Sequence, residues 1–271
     1  MPEAKYCGLD SPAPDGLRFL PKTNVYDRNM LAHLTREHVT MPEPQIKEFV
    51  EAVTPDMRSE WDAENLCRLL VIQPRQAGFA SFSPEFEACE AHWRRDELDH
   101  FRMFSLLIGL LTGRSAEAIE AEMRPEDPDY TNQRPIIGQE LEIALALAWD
   151  EFFTTYYYGQ DRALYRALGH PKFLRWFNQV IRDEKLHFDN FSSVAISCHA
   201  NRASEFPAII DRLESMELAR SESRQLGKRV DFRTFLMDRG NSEQTPREIK
   251  RLSSQFRKAI TGKLKLAQEF V

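Results

Sequence analysis

Apolar side chains recur at helical spacing along most of this chain, and no convincing pair of alternating strands interrupts them. Residues 1 to 45 are the exception: six prolines (Pro2, Pro12, Pro14, Pro21, Pro42 and Pro44) break the periodicity. The pattern there predicts an extended arm with one short helix around Asn29 to Glu37. Thr54-Pro55-Asp56 reads as a helix start, a capping side chain followed by proline at the first helical position, and this helix runs to about Ile72, before Pro74. Ser83-Pro84-Glu85 opens a second, longer helix that reaches Leu111 and is closed by Gly113. A proline-rich connection spans 123 to 135. A third helix covers Ile137 to Leu168 and stops at Gly169, and a fourth follows the tight Gly169-His170-Pro171 link to about His199. Beyond it the spacing predicts helices near 204–226, 230–238 and 246–268. Two hairpins joined by one long connection make an all-α, four-helix bundle (46–200), flanked by the N-terminal arm (1–45) and by C-terminal helices packed on the bundle (201–271).

Two of these helices carry the same motif. Asp96-Glu97-Leu98-Asp99-His100 lies in the second and Asp183-Glu184-Lys185-Leu186-His187 in the fourth. Glu and His three residues apart share a helix face, so each pair offers a carboxylate and an imidazole to one metal ion. With seven histidines in the chain, about one such spacing is expected by accident at average glutamate usage. Two, each preceded by Asp and each on the second helix of a hairpin, exceed that expectation. Glu64 precedes Glu97 by 33 residues and Glu151 precedes Glu184 by the same 33, so the first helix of each hairpin can add a glutamate. Glu60, one turn before Glu64, is the alternative; Glu140 and Glu142 are alternatives to Glu151, though acids near a helix start also suit the dipole. The expected metal set is Glu64, Glu97, His100, Glu151, Glu184 and His187, which matches the ferritin-like arrangement of Glu and Glu-x-x-His helices. A ligating imidazole usually donates its other N–H to a carboxylate, and pseudo-twofold symmetry pairs Asp183 with His100 and Asp96 with His187. Four carboxylates and two neutral nitrogens suit two iron ions cycling between the ferrous and ferric states, and ligand type alone leaves manganese open at one position.

Composition narrows the rest. The formal net charge of −6 argues against a general nucleic-acid binder. No apolar run is long enough to span a membrane, and no secretory h-region follows Met1. Cys7, Cys67, Cys89 and Cys198 are scattered without a C-x-x-C pair, which fits reduced thiols in the cytoplasm. The last helix is basic (Arg247, Lys250, Arg251, Arg257, Lys258, Lys263 and Lys265), either a solvated face or a dock for an acidic partner.

At the motif residues the chain resembles the soluble acyl-carrier-protein desaturases among the ferritin-like di-iron oxidases. The resemblance rests on Trp93-x-x-x-Glu97-x-x-His100, on Arg182-Asp183-Glu184-Lys185-Leu186-His187, and on a crossover-like stretch from Thr112-Gly113-Arg114 to Tyr130. It covers roughly residues 45 to 200 and implies a homodimer. It also implies a role in oxygen activation for Thr154, three residues after Glu151. Tyr158, two turns after Glu151 on its face, is the candidate for a redox or pocket role. The radical-generating ribonucleotide reductase subunit has a tyrosine where this chain has Phe104, and the arylamine N-oxygenases have a further histidine where it has Val180. The apolar run Ile143 to Ala148 fits a buried substrate channel. The expected function is O₂-dependent oxidation of an unactivated C–H bond, by desaturation or hydroxylation, in an acyl-type or other small molecule, free or on a carrier protein. No flavin or nicotinamide motif is present, so electrons are expected from an external donor such as a ferredoxin. The alternatives are a di-iron N-oxygenase or other tailoring oxygenase, and a non-catalytic ferritin-like metal binder.

Overall fold

The computed structural model describes residues 17–76, 78, 81–123, 139–225 and 246–269, and among these no strand occurs. Seven helices of eight residues or more follow one another: α1 (Glu43–Cys67), α2 (Pro84–Thr112), α3 (Ala116–Met123), α4 (Glu140–Ala167), α5 (Pro171–Cys198), α6 (Phe206–Gln225) and α7 (Pro246–Glu269). Helix α1 pairs with α2 and α4 with α5 as two hairpins, and α2 packs on α5 where the hairpins meet. Helices α6 and α7 pair with each other and cover the outer side of α4 and α5. The short helix expected at 230–238 and most of the connection at 123–135 lie outside the described residues.

Helix α1 does not begin at Thr54 as its capping pattern suggests. It starts twelve residues before Pro55, at Glu43, and runs straight through that proline. Proline inside a helix removes one backbone bond and costs about 3 kcal/mol or more. Ile46, Phe49, Val53 and Met57 lie on one face at spacings of three and four and are all buried. Each contributes about 1.5–3 kcal/mol, so together they outweigh the break. Thr54 donates its hydroxyl to the Val50 carbonyl at 2.6 Å, one residue before the Glu51 carbonyl that Pro55 leaves without its helical donor. At its other end α1 widens into a π-helical stretch, Arg68–Ile72, before a last turn at Gln73–Gln76.

The other long helices begin and end close to their sequence signals. Ser83 caps α2 by accepting from the Phe86 N–H at 3.1 Å, and Gly113 closes it in the left-handed region at φ 72°. His170 caps α5, with Pro171 at its first position. Helix α4 is buried all round over Leu141–Trp149 because α5 lies on one side and the apolar faces of α6 and α7 (Ile209, Leu213, Leu252, Phe256) on another. That packing accounts for the apolar run Ile143–Ala148, which the sequence alone suggested as a channel wall.

Two apolar clusters fill the interior. One gathers Ala63, Leu66, Trp93, Trp149, Phe191 and the C-terminal helices; the other gathers Phe49, Met57, Phe104, Tyr158, Tyr165 and Trp176. On α2 and α5 the buried residues between the two clusters are the acids and histidines of the repeated motif, and on α1 the buried residue between them is Glu60. The arm, described from residue 17, lies along α5 and α2. Lys22 and Asn190 exchange two hydrogen bonds (2.8 and 2.9 Å), and Arg18 N–H donates to Glu85 at 2.7 Å. Near 29–37 the chain forms turns and the short 3₁₀ segment Arg36–His38 where one short helix is expected.

Candidate metal centre

Pro84 precedes Glu97, and Pro171 precedes Glu184, by the same 13 residues, so α2 and α5 deliver their motifs at matching depth. Glu60 on α1 and Glu151 on α4 face them. Two overlapping groups of potential ligand atoms result, each with all atoms within 4.8 Å of one another: Glu60, Glu97, His100 and Glu184, and Glu97, Glu151, Glu184 and His187. All six residues are buried. Glu97 and Glu184 belong to both groups, in the position of shared ligands; Glu60 with His100, and Glu151 with His187, are the terminal pairs.

Both imidazoles turn Nδ1 inward. His100 Nδ1 lies 3.2 Å from Glu184 and 3.3 Å from Glu60; His187 Nδ1 lies 3.2 Å from both Glu97 and Glu184 and 3.6 Å from Glu151. Their Nε2 atoms point outward to the aspartates of the opposite hairpin, His100 to Asp183 at 3.1 Å and His187 to Asp96 at 3.3 Å. The terminal glutamates are held across the same interface. Trp93 Nε1 on α2 donates to Glu151 at 2.6 Å, and the Tyr158 hydroxyl on α4 donates to Glu60. Every one of these four pairs joins one hairpin to the other.

Glu64, the expected ligand of α1, is not in the cluster. Its side chain is 59 % exposed and lies 3.8 Å from Arg94, whereas Glu60 is 4 % exposed and in contact with His100. The 33-residue rule fails on α1 because the first hairpin is longer. From Glu60 to Pro84 there are 24 residues, from Glu151 to Pro171 only 20. The difference, about one helical turn, falls where α1 continues through its π-helical stretch while α4 ends at the tight Gly169 link. Thr154 donates its hydroxyl to the Asp150 carbonyl at 3.0 Å, within its own helix. Tyr158 reaches the cluster by its bond to Glu60.

The protonation pattern is that of carboxylates gathered without counter-ions. Burial, and then the neighbouring glutamates, push Glu97 and Glu151 well above the ordinary carboxylate value. Burial works against charge on His100 and His187 too, but the surrounding carboxylates outweigh it and raise both. Glu184 is pressed upward by burial and downward, more strongly, by the two imidazoles, so it stays ionised. Crowding thus pushes Glu97 and Glu151 toward the neutral form and His100 and His187 toward the charged one. Glu97 Oε1 and Glu184 Oε1 are buried without a hydrogen bond, each 3.2 Å from an imidazole nitrogen. Buried acceptors of this kind are costly unless a cation or donor satisfies them. The donor set fits a pair of divalent cations.

Two neighbours of the cluster carry no motif and come from the arm. Arg28 places one guanidinium nitrogen 2.6 Å from Asp96 and pairs with Asp99 through the other. Tyr26 lies beside Asp183; burial and the Asp183 charge hold its phenol well above the ordinary value. A proline-broken segment offers no periodicity from which to predict such contacts. On α7, Arg257 pairs with Asp211 and Glu214, Lys263 with Asp189, and Arg251 lies over Tyr156, so part of the basic stripe is committed within the chain. No helix among the described residues is long and apolar enough to cross a membrane.

No family model matches the chain, and neither a curated protein nor a solved structure does.

Proposed function

We propose that this chain is a ferritin-like di-iron protein that uses O₂ to oxidise an unactivated C–H bond of an acyl-type or other small molecule. The observation that carries the reading is the buried pair of overlapping ligand sets, three carboxylates and one imidazole each, with Glu97 and Glu184 common to both. Zinc sites favour nitrogen and sulfur donors, whereas an oxygen-rich set with two imidazoles suits iron or manganese. When bound, such an iron pair supplies oxygen activation and the oxidising equivalents for the C–H bond. Glu60 and His100 would hold one ion and Glu151 and His187 the other. Asp183 and Asp96 fix the tautomer of each imidazole, leaving Nδ1 free to ligate, while Tyr158 and Trp93 each tie up one oxygen of a terminal glutamate. The ring shell of Phe104, Phe177 and Phe191 beside Tyr158 and Trp93 excludes water from the layer. Electrons come from a separate donor protein of the ferredoxin type.

The test is anaerobic loading with ferrous iron, followed by Mössbauer spectroscopy before and after oxygen. Two irons per chain and a coupled diferric signal support the reading, and substrate trials with free and carrier-bound acids then follow. Oxidation of many irons per chain would instead mark a storage protein. One ion or none would remove the di-iron reading altogether.

A further inference from the structure

The two halves of the centre are alike in their ligands but not in what stands behind them. Asp96, which orients His187, is neutralised by Arg28 at 2.6 Å, with Arg95 a further 3.5 Å neighbour. Asp183, which orients His100, is fully buried. Among the described residues its one ion-pair partner is His100 itself and its Oδ1 has no hydrogen bond; the Tyr26 phenol, which lies under the Arg28 guanidinium, stands beside it as a neutral hydrogen-bond donor and not as a cation. A carboxylate that accepts from a ligating imidazole makes that imidazole a stronger donor, and a cation on the carboxylate withdraws the effect. Asp96 and Asp183 are both buried, so the difference is little screened where it reaches the imidazoles.

We propose that the two cation positions are inequivalent, that the position of Glu60 and His100 binds its ion more tightly, and that Arg28 is the positioning residue that sets the difference. The inference rests on the two-metal reading above. Around His100 stand Glu60, Glu97, Glu184 and Asp183, with no cation among them. Around His187 stand Glu97, Glu151, Glu184 and Asp96, the last tied to Arg28. The ligand count is the same on both sides, so the arm supplies the asymmetry. Ions would enter in sequence, with the His100 position filled first.

Titration of the metal-free full chain with Mn²⁺, followed by electron paramagnetic resonance, tests this without any activity. The first equivalent is expected to give an isolated-ion signal, and the coupled-pair signal to grow with the second. The two affinities should differ by about tenfold, the lower end of what changes to such outer partners produce. Arg28→Met should tighten the His187 position and bring the two steps together, whereas Arg28→Lys, which keeps the charge, should leave them apart. In His187→Ala one Mn²⁺ should bind about tenfold more tightly than in His100→Ala. A coupled signal from the first addition in the wild-type chain, or steps unmoved by Arg28→Met, would overturn the inference while leaving a two-metal site. If the wild-type chain takes up no Mn²⁺ pair, the two-metal reading fails and the inference with it. The wild-type and Arg28→Met titrations decide the matter even if a histidine variant does not fold.

Discussion

The two hairpins do the same job with different economy of chain. The second is compact: α4 ends at Ala167, Gly169 turns the chain, and α5 starts at Pro171. The first runs α1 through a proline, widens it into a π-helical stretch and returns only at Pro84. Their second helices nonetheless present Asp, Glu and His in identical register. Symmetry is kept where four side chains must meet at one layer and lost where the chain merely has to come back. The crossed contacts explain why. Asp96, Asp183, Trp93 and Tyr158 each act on the opposite hairpin, so α2 and α5 cannot slip relative to each other without breaking pairs on both sides.

The largest effect separating shared from terminal ligands is expected at Glu184, which touches both histidines. Glu184→Ala should remove the binding of both ions, weakening it by more than the ~10–100-fold typical of outer partners, as read by metal content after dialysis. Retention of two ions would show that Glu184 is not shared.

Next comes the comparison within α1. Glu60→Ala should empty the His100 position and leave one ion at His187, whereas Glu64→Ala should keep both ions bound. The opposite result in the same metal analysis would restore Glu64 and the 33-residue rule.

A third prediction contrasts the empty with the loaded centre. Glu97 and Glu151 are raised above the ordinary 4.5, and His100 and His187 above 6.5, so the folded chain binds protons at these sites more tightly than the unfolded one. Their stabilising contribution is complete below the unfolded values and is lost as pH rises through the folded ones. Glu184 and Asp96, held low, contribute in the other direction and matter only in acid. The metal-free protein should therefore melt at progressively lower temperature as pH climbs from about 5 to 8. The loaded protein should not, because ions replace the protons. Calorimetry across that range checks it, and parallel curves with and without metal would count against the cluster as a cation site.

The smallest effect contrasts two left-handed glycines. A Cβ on Gly169 would stand 2.0 Å from Thr40 Oγ1, at φ 98°, whereas one on Gly113, at φ 72°, would meet nothing within 4 Å. Gly169→Ala should cost about 3 kcal/mol in thermal unfolding and Gly113→Ala about 1 kcal/mol. Equal losses would mean that the link between arm and second hairpin is looser than its geometry.

Much of this was legible in the letters. The paired Asp-Glu-x-x-His motifs are local, sit on strongly periodic helices, and repeat at one interval, so Glu97, His100, Glu184 and His187 could be named together. Proline at a helix start and glycine at a helix end set the limits of α2, α4 and α5 closely. The same reasoning misplaced the start of α1, because Thr54-Pro55 is a strong local signal overridden by a buried apolar face. It favoured Glu64 over Glu60, because interval arithmetic assumes equal turns and the turns are unequal. Arg28 and Tyr26 were out of reach: neither belongs to a repeat, and they meet the aspartates only through tertiary contact.

Between residues 17 and 26 the arm makes its hydrogen bonds to other parts of the fold, and local ones begin only at Asp27. Its partners Gln179, Asn190 and Ser197 lie 155 to 179 residues further along the chain. Closing loops of that size costs more entropy than forming local contacts, so the helices are expected to assemble before the arm docks. Its polar attachments at Arg18, Lys22 and Arg28 are partly solvated while the helices beneath are densely packed, so this stretch is expected to open before they do. Amide exchange at Arg18 and Lys22 should accordingly run ahead of exchange in α2 and α5, with the centre briefly losing Arg28 each time the strap lifts.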